Sequence, residues 1–377
     1  MHRFLLNLRM FDTQVTTQQS LSAEMKTFYE DTLIDNAEPK LVHDQFGDKY
    51  PIPKNNGKTI EFRKYAALPK ALTPLTEGVT PAGNNLSVST KEATINQFGD
   101  YIKLSDMLQL TTIDNNVIQS TKLLGSQSGR TLDTITREII NAGTNVVYAD
   151  KSDGSETLSR KALTLDAELT VDTIFRAVAQ LKSMNADGID GGDYVAIIHP
   201  FVAYALMTSK DWISIHQYKN PENIYQGEIG TLGGVRFVES TEAKVFKENG
   251  CPTYYELTKD AKFVAGKEYY TKSDSGATYT KASVTAGSAV TANTYYEKKY
   301  TGIFSTLVIG AHAYAVTDVT GGGLEHIVKQ LGYGDDPLNQ RSSVGWKATK
   351  TAEILSDEYM VRIESCVKKY SNKVDAN

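Results

Sequence analysis

The spacing of apolar positions changes several times along the chain and divides it into segments. After a polar opening that includes Thr13 to Gln19, Met25, Phe28, Tyr29, Leu33 and Ile34 recur at helical intervals behind Ser22. That predicts a short helix, capped by the serine hydroxyl, with one buried side. From Pro51 to about Asp106 the period shortens. Ile60, Phe62 and, less regularly, Tyr65 alternate with charged neighbours over residues 59–65, as in a half-exposed strand. Residues 68–83 hold three prolines and two glycines, which break regular structure, and two further strand candidates cover 86–95 and 100–104. A two-stranded ribbon of this kind has little core of its own and is marginal in water. Its apolar side must be buried against its own domain or across a neighbouring subunit.

Residues 107–143 are predicted to be mostly helical. Leu132, Ile135, Ile139 and Ile140 form an apolar stripe, with Arg130, Asp133, Arg137 and Glu138 on other faces; Asn141 to Gly143 supplies the stop. Gly125 to Gly129 weakens the middle, so two helices or a bend fit equally. Thr170 or Asp172 caps a second helix carrying Ile174, Phe175, Val178, Leu181 and Met184. The buried strand 194–198 follows, and then a helix with Pro200 at its first position, where the missing N–H costs nothing. Together these predict a compact α/β region at about 170–245.

Between the strand candidates 235–238 and 304–309 the composition shifts to tyrosine, threonine, lysine and glycine. Tyr254 and Tyr269 lie 15 residues apart and Tyr279 and Tyr295 lie 16 apart, a near-duplication. It predicts two small β-hairpin units whose tyrosine rings pack together while Lys and Thr face water. Such a unit serves as an exposed knob for a decoration protein or host surface, or is an insertion with no partner. Either way, the parent fold is expected to survive its removal.

Composition excludes more than it identifies. The 377 residues, 40% of them apolar, suffice for one large domain or two smaller ones. No run of about 18 apolar residues crosses a membrane, and the first ten residues read as an amphipathic arm rather than a signal for secretion. Cys251 and Cys366, 115 positions apart, make no disulfide framework and fit a reduced, cytoplasmic folding environment. A net charge of −5 opposes tight wrapping of nucleic acid but allows a container with a local basic lining.

Candidate chemistry is sparse. The glycines 321–323 lack the Lys-Ser/Thr of a phosphate loop, and residues 188–193 lack the ligand order of a calcium loop, so a turn is expected there. His199, without a nucleophile or orienting acid beside it, is expected to be a structural hydrogen-bonding residue. Asp335, Asp336, Asp357 and Glu358 read as solvated charge or as intersubunit partners. Arg341, Lys347, Lys350, Arg362, Lys368, Lys369 and Lys373 make the last segment locally basic, facing either packaged DNA or acidic neighbours. No catalytic, cofactor-binding or metal-binding residues are nominated, no cofactor is called for, and the chain is not expected to be an enzyme.

One block is more specific. Residues 336–347, Asp-Pro-Leu-Asn-Gln-Arg-Ser-Ser-Val-Gly-Trp-Lys, with the closing strand 359–363, resemble the tailed-bacteriophage major capsid proteins of N4-like phages. Residues 59–65, 74–79, 98–101 and 233–238 extend the resemblance over most of the chain outside the repeat. It implies an α+β, HK97-like capsid fold: N-terminal arm 1–50; extended loop 51–105; peripheral domain 106–171 with a long spine helix at 115–143; axial domain 172–250 and 302–318, interrupted by the tyrosine-rich β module 251–301; and a peripheral return at 319–377. It also implies self-assembly through pentamers and hexamers into an icosahedral shell around double-stranded DNA. Scaffold, portal and decoration proteins would be further partners, assembly would occur in the host cytoplasm, and the virion capsid would be the destination. A tail or accessory virion protein, which would form tubes, rings or fibres, and an α/β enzyme are the alternatives.

Overall fold

The computed structural model describes residues 42–377 except 76, 81–82, 112–115, 190–191, 211, 213–229, 248–251, 258–260, 266, 273–278, 291–294, 320–322, 333–335, 372–373 and 375–376. The described residues belong to one compact unit, Pro39–Asn377. The helix predicted behind Ser22 lies outside the described residues. In chain order the elements are β1 (Asp48–Lys49), β2 (Thr59–Tyr65), β3 (Val88–Thr94), β4 (Asn96–Ser105), α1 (Asp106–Thr111), α2 (Asn116–Ile140), β5 (Val146–Tyr148), α3 (Val171–Ser183), β6 (Tyr194–Ile198), α4 (Pro200–Met207), β7 (Thr231–Leu232), β8 (Val235–Glu239) and β9 (Val245–Phe246). There follow β10 (Pro252–Glu256), β11 (Tyr269–Lys272), β12 (Tyr279–Lys281), β13 (Tyr295–Tyr300), β14 (Ile303–Ile309), β15 (Tyr314–Thr317), β16 (Glu325–Lys329), β17 (Arg341–Ile354) and β18 (Met360–Ser365).

A seven-stranded mixed sheet, in the order β5-β18-β14-β6-β8-β7 with β9 also on β14, forms the main core. Its central strands read as unbroken apolar runs because both faces are covered. Phe304 and Val308 of β14 join Ala196 and Ile198 of β6 beneath α3 and α4, while Leu307 and Ile309 point the other way onto Ile140, Met360 and Tyr314. Thr170 caps α3 as expected, its hydroxyl accepting from the Thr173 N–H at 3.3 Å. Ile174, Ala177, Val178 and Leu181 then form the buried stripe. Pro200 opens α4.

The second layer is a sheet built on the long strand β17, which pairs with β15, β16 and β4. Two sequence expectations change here. The strand predicted at 100–104 belongs to β4 and pairs along its whole length with β17, whereas β3 pairs with β2 alone. Helix α2 runs unbroken through Gly125 and Gly129, and it buries Ser120, Leu124, Ser128, Asp133, Thr136, Arg137 and Ile140. Its inward face is thus largely polar, and Asp133 and Arg137, expected on outer faces, are inside. The sequence period was sound but the buried stripe was misplaced, because buried polar side chains with partners look like surface residues in a sequence.

The tyrosine-rich segment forms its own four-stranded sheet, in the order β10-β13-β11-β12. The two adjacent hairpins expected from the repeat do not form. First and last strands pair instead, Pro252 opposite Tyr300 and Glu256 opposite Tyr296, and β11 bridges to β12. Tyr254 and Tyr279 stand on opposite edge strands, yet their rings stack at 3.7 Å, so the sheet is curled enough for its edges to meet. Tyr270 and Tyr296 pack edge-on against that pair. Phe263, Tyr269 and Val290 make a second small core.

Candidate assembly surfaces

The β2–β3 ribbon is held at its base and bare beyond it. Its seven residue pairs run from Thr59 opposite Thr94 to Tyr65 opposite Val88. At the base, Lys64 Nζ donates to Ser356 Oγ (3.0 Å), Lys91 Nζ donates to the Ile354 carbonyl (2.7 Å), and Tyr50 meets Phe62 edge-on. Further out, Leu68, Leu72, Leu75, Val79 and Leu86 are exposed, Leu72 and Leu75 to 82% and 78%. None of them has a core to join, because the prolines and glycines of 68–83 leave only irregular chain among the described residues.

The segment leading into β1 is anchored against α2. His43 is fully buried; its backbone N–H donates to Asp133 Oδ1 (2.9 Å), and its Nδ1 lies 2.6 Å from Asp133 Oδ2. Tyr314 donates its hydroxyl to the His43 carbonyl (2.5 Å), and burial pushes that phenol's pKa up. Asp44 accepts from Thr136 Oγ1 (2.6 Å) and pairs with Lys350. Sequence reasoning missed this cluster because its members come from four distant segments with no local motif.

The residues weighed for chemistry fall into structural places. His199 is the N-cap of α4: its Nδ1 accepts from the Phe201 N–H (3.2 Å), its ring lies against Phe201 and Phe304, and burial pushes its pKa down to about 4. Asp336 accepts from the Arg341 N–H (2.7 Å), and Asp357 accepts from the Thr144 N–H (2.9 Å). Both therefore brace turns within the subunit; Glu358 stays exposed beside Lys64. Asp335, Cys251 and glycines 321–322 lie outside the described residues. Of the segment 188–193, Ile189 and Asp193 form an antiparallel bridge, and 190–191 lie outside the described residues. Cys366 is a buried thiol.

The C-terminal cations divide. Lys350 is buried on Asp44, and Arg362 is half-buried between the Asn141 and Gly143 carbonyls and Glu364 Oε1 (3.0 Å). Glu364, fully buried, also takes Arg160 Nε at 2.6 Å, and the Arg160 guanidinium lies 3.7 Å over the Phe246 ring. These cations are used inside the subunit. Lys347 pairs with Glu325 at the surface (2.9 Å), and Arg341 and Lys368 are also exposed.

The far end of the ribbon thus leaves a run of apolar side chains exposed in the single subunit. The family model described as phage capsid protein matches residues 113–316, more than half of the chain. The chain belongs to the phage capsid protein family. It is a viral capsid structural protein. No curated protein sequence matches it. Among solved structures, the capsid of cyanophage P-SCSP1u is similar over 93% of this chain and 98% of its own, with 14% identity and a TM-score of 0.58. The cyanophage Pam1 capsid gives 92%, 98%, 12% and 0.59, and the Ralstonia phage GP4 capsid 93%, 99%, 15% and 0.54. Likeness at such identity is a likeness of fold: the capsid chain has a mixed α+β fold consistent with HK97-like capsid architecture.

Proposed function

We propose that this chain is a major capsid protein, the repeated tile of an icosahedral shell that encloses the double-stranded DNA of a tailed phage, in the N4-like group. The exposed ribbon carries this reading. An apolar patch on a segment without a core marks a surface that a partner covers, and in a closed homo-oligomer every copy both offers and receives that contact. Residues 51–105 are then the extended loop lying on a neighbour. Helix α2 is the spine helix of a peripheral domain made from 106–171 and 319–377, and 1–50 form the arm. The axial domain, 172–250 and 302–318, sits where subunits converge as pentamers and hexamers, and the module 251–301 projects from it toward a decoration protein. Scaffold and portal proteins are the other partners. Assembly takes place in the host cytoplasm.

The test is the double substitution Leu72→Ser with Leu75→Ser. Both side chains stand in solvent in the subunit, so folding should be unchanged within about 0.5 kcal/mol while shell formation is lost. Normal shells from the double variant would contradict the reading.

A further inference from the structure

Strand β16 forms one margin of the sheet built on β17. It pairs with β17 from Glu325 opposite Lys347 to Lys329 opposite Ser343, and no other strand among the described residues pairs with its outer edge. In an antiparallel pair alternate residues direct their backbone N–H and C=O groups away from the partner, so that edge offers hydrogen bonds to a further strand. Glu325, His326, Val328 and Lys329 are exposed, Ile327 is half-buried, and Leu324 and Leu331 stand exposed on either side.

Apolar surface lies beside this edge on the helix face. Val344 and Trp346 of β17 are buried under α2, but Val328, opposite Val344, is left uncovered. Val117 of α2, Val328, Leu331 and Val344 line an open groove there. A groove that runs along an unpaired strand is completed by an added strand, which meets backbone groups and apolar side chains together.

The order of side chains says which strand fits. Edges that avoid pairing with copies of themselves carry like charges, often Lys. Strand β16 instead carries opposite charges at its two ends, and they invert about Ile327. Antiparallel pairing of two copies about a twofold at Ile327 sets Glu325 of each against Lys329 of the other, His326 against Val328, and Ile327 against itself. A parallel pairing in register sets Glu on Glu and Lys on Lys, which is unfavourable. Glu325 already holds Lys347 at 2.9 Å, and Lys329 also has a partner in its own subunit. The backbone ladder and the groove therefore carry the contact, and the charges fix its direction and register.

We propose that β16 pairs antiparallel with β16 of a second copy of this chain, across a twofold axis at Ile327, and joins two β17 sheets into one. Each subunit gives and receives the same surface. This goes beyond the shell reading, and it is tested on subunits kept dilute enough to remain unassembled. Directly opposed residues of an antiparallel pair have Cα atoms about 4.5–5.5 Å apart, within reach of a disulfide, whereas the two copies of position 325 are offset by about 13 Å. I327C and E325C subunits are oxidised by air with a copper catalyst and followed on non-reducing gels. The parent chain, with Cys251 and Cys366, sets the background.

I327C should give covalent dimer at least about tenfold faster than E325C. Adding K329E to I327C sets Glu against Glu and should slow cross-linking about threefold or more, and adding E325K as well restores opposite signs and should recover the rate. All three positions are at the surface or half-buried, so circular dichroism should match the parent in every variant. The proposal is overturned if I327C and E325C cross-link alike, if K329E leaves the rate unchanged, or if the double exchange brings no recovery. I327C shells that assemble normally yet hold no cross-linked dimer would also overturn it and leave the capsid reading intact. Cross-linked dimers from a chain that never forms shells would support this contact and strike the capsid reading instead.

Discussion

Glu364 illustrates how single residues hold this subunit together. Its carboxylate, fully buried, serves Arg160 and Arg362 at once, with Phe246 beneath the first guanidinium. Removing one partner of a buried charge group strands the others, at about 3–5 kcal/mol. Glu364→Gln should therefore lower the unfolding free energy of the subunit by about that much in urea titration; a loss under 1 kcal/mol would mean that the cluster is well solvated. His199 makes a different prediction. Burial holds its pKa at about 4, below the ordinary 6.5. Above pH 6.5 it is neutral in both folded and unfolded chains. As pH falls from 6.5 to 4 only the unfolded chain takes up the proton, so stability drops across that window, by up to about 3 kcal/mol. His199→Asn keeps an N-cap acceptor and removes the titration. The difference in stability between parent and variant should shrink or reverse as pH falls through the window, and a constant difference would remove His199 from the pH response.

At the scale of elements, what could be read in the sequence was what short-range chemistry dictates. The alternation of Ile60 and Phe62 gave β2, Thr170 gave the start of α3, Pro200 that of α4, and the apolar run of β6 its buried strand. Pairings between distant segments were not legible. Residues 96–105 meet 341–350, and nothing within either strand names its partner. The inward face of α2 was misread because Asp133 and Arg137 are satisfied by His43 and by the Glu242 carbonyl, neither of which is local. The tyrosine repeat announced strands but not their order, since a duplicated strand pair can close first-to-last as readily as side by side.

That closure has a consequence for the chain around it. Val245 and Phe246 pair with Phe304 and Ile303, so the chain leaves for the module and returns from it on adjacent strands. Replacing residues 250–301 by a short Gly/Ser turn should leave a soluble subunit that unfolds cooperatively, with the seven-stranded sheet intact, as followed by circular dichroism and thermal melting. Aggregated product would show that the module is part of the parent core.

For the whole molecule, the candidate surfaces were partly visible from the start. The ribbon declared itself by having strands without a core, and the local excess of cations near the C-terminus was countable. What the sequence could not show is which cations are used within the subunit. Lys350 and Arg362 go to Asp44, Glu364 and backbone carbonyls. A tile whose apolar loop is covered only in a shell should assemble from the purified chain. Electron microscopy of the purified full-length chain under assembly conditions tests this most directly. Thin-walled icosahedral particles with pentameric and hexameric capsomers are the expected result; tubes, rings or uniform small oligomers under every condition would contradict it.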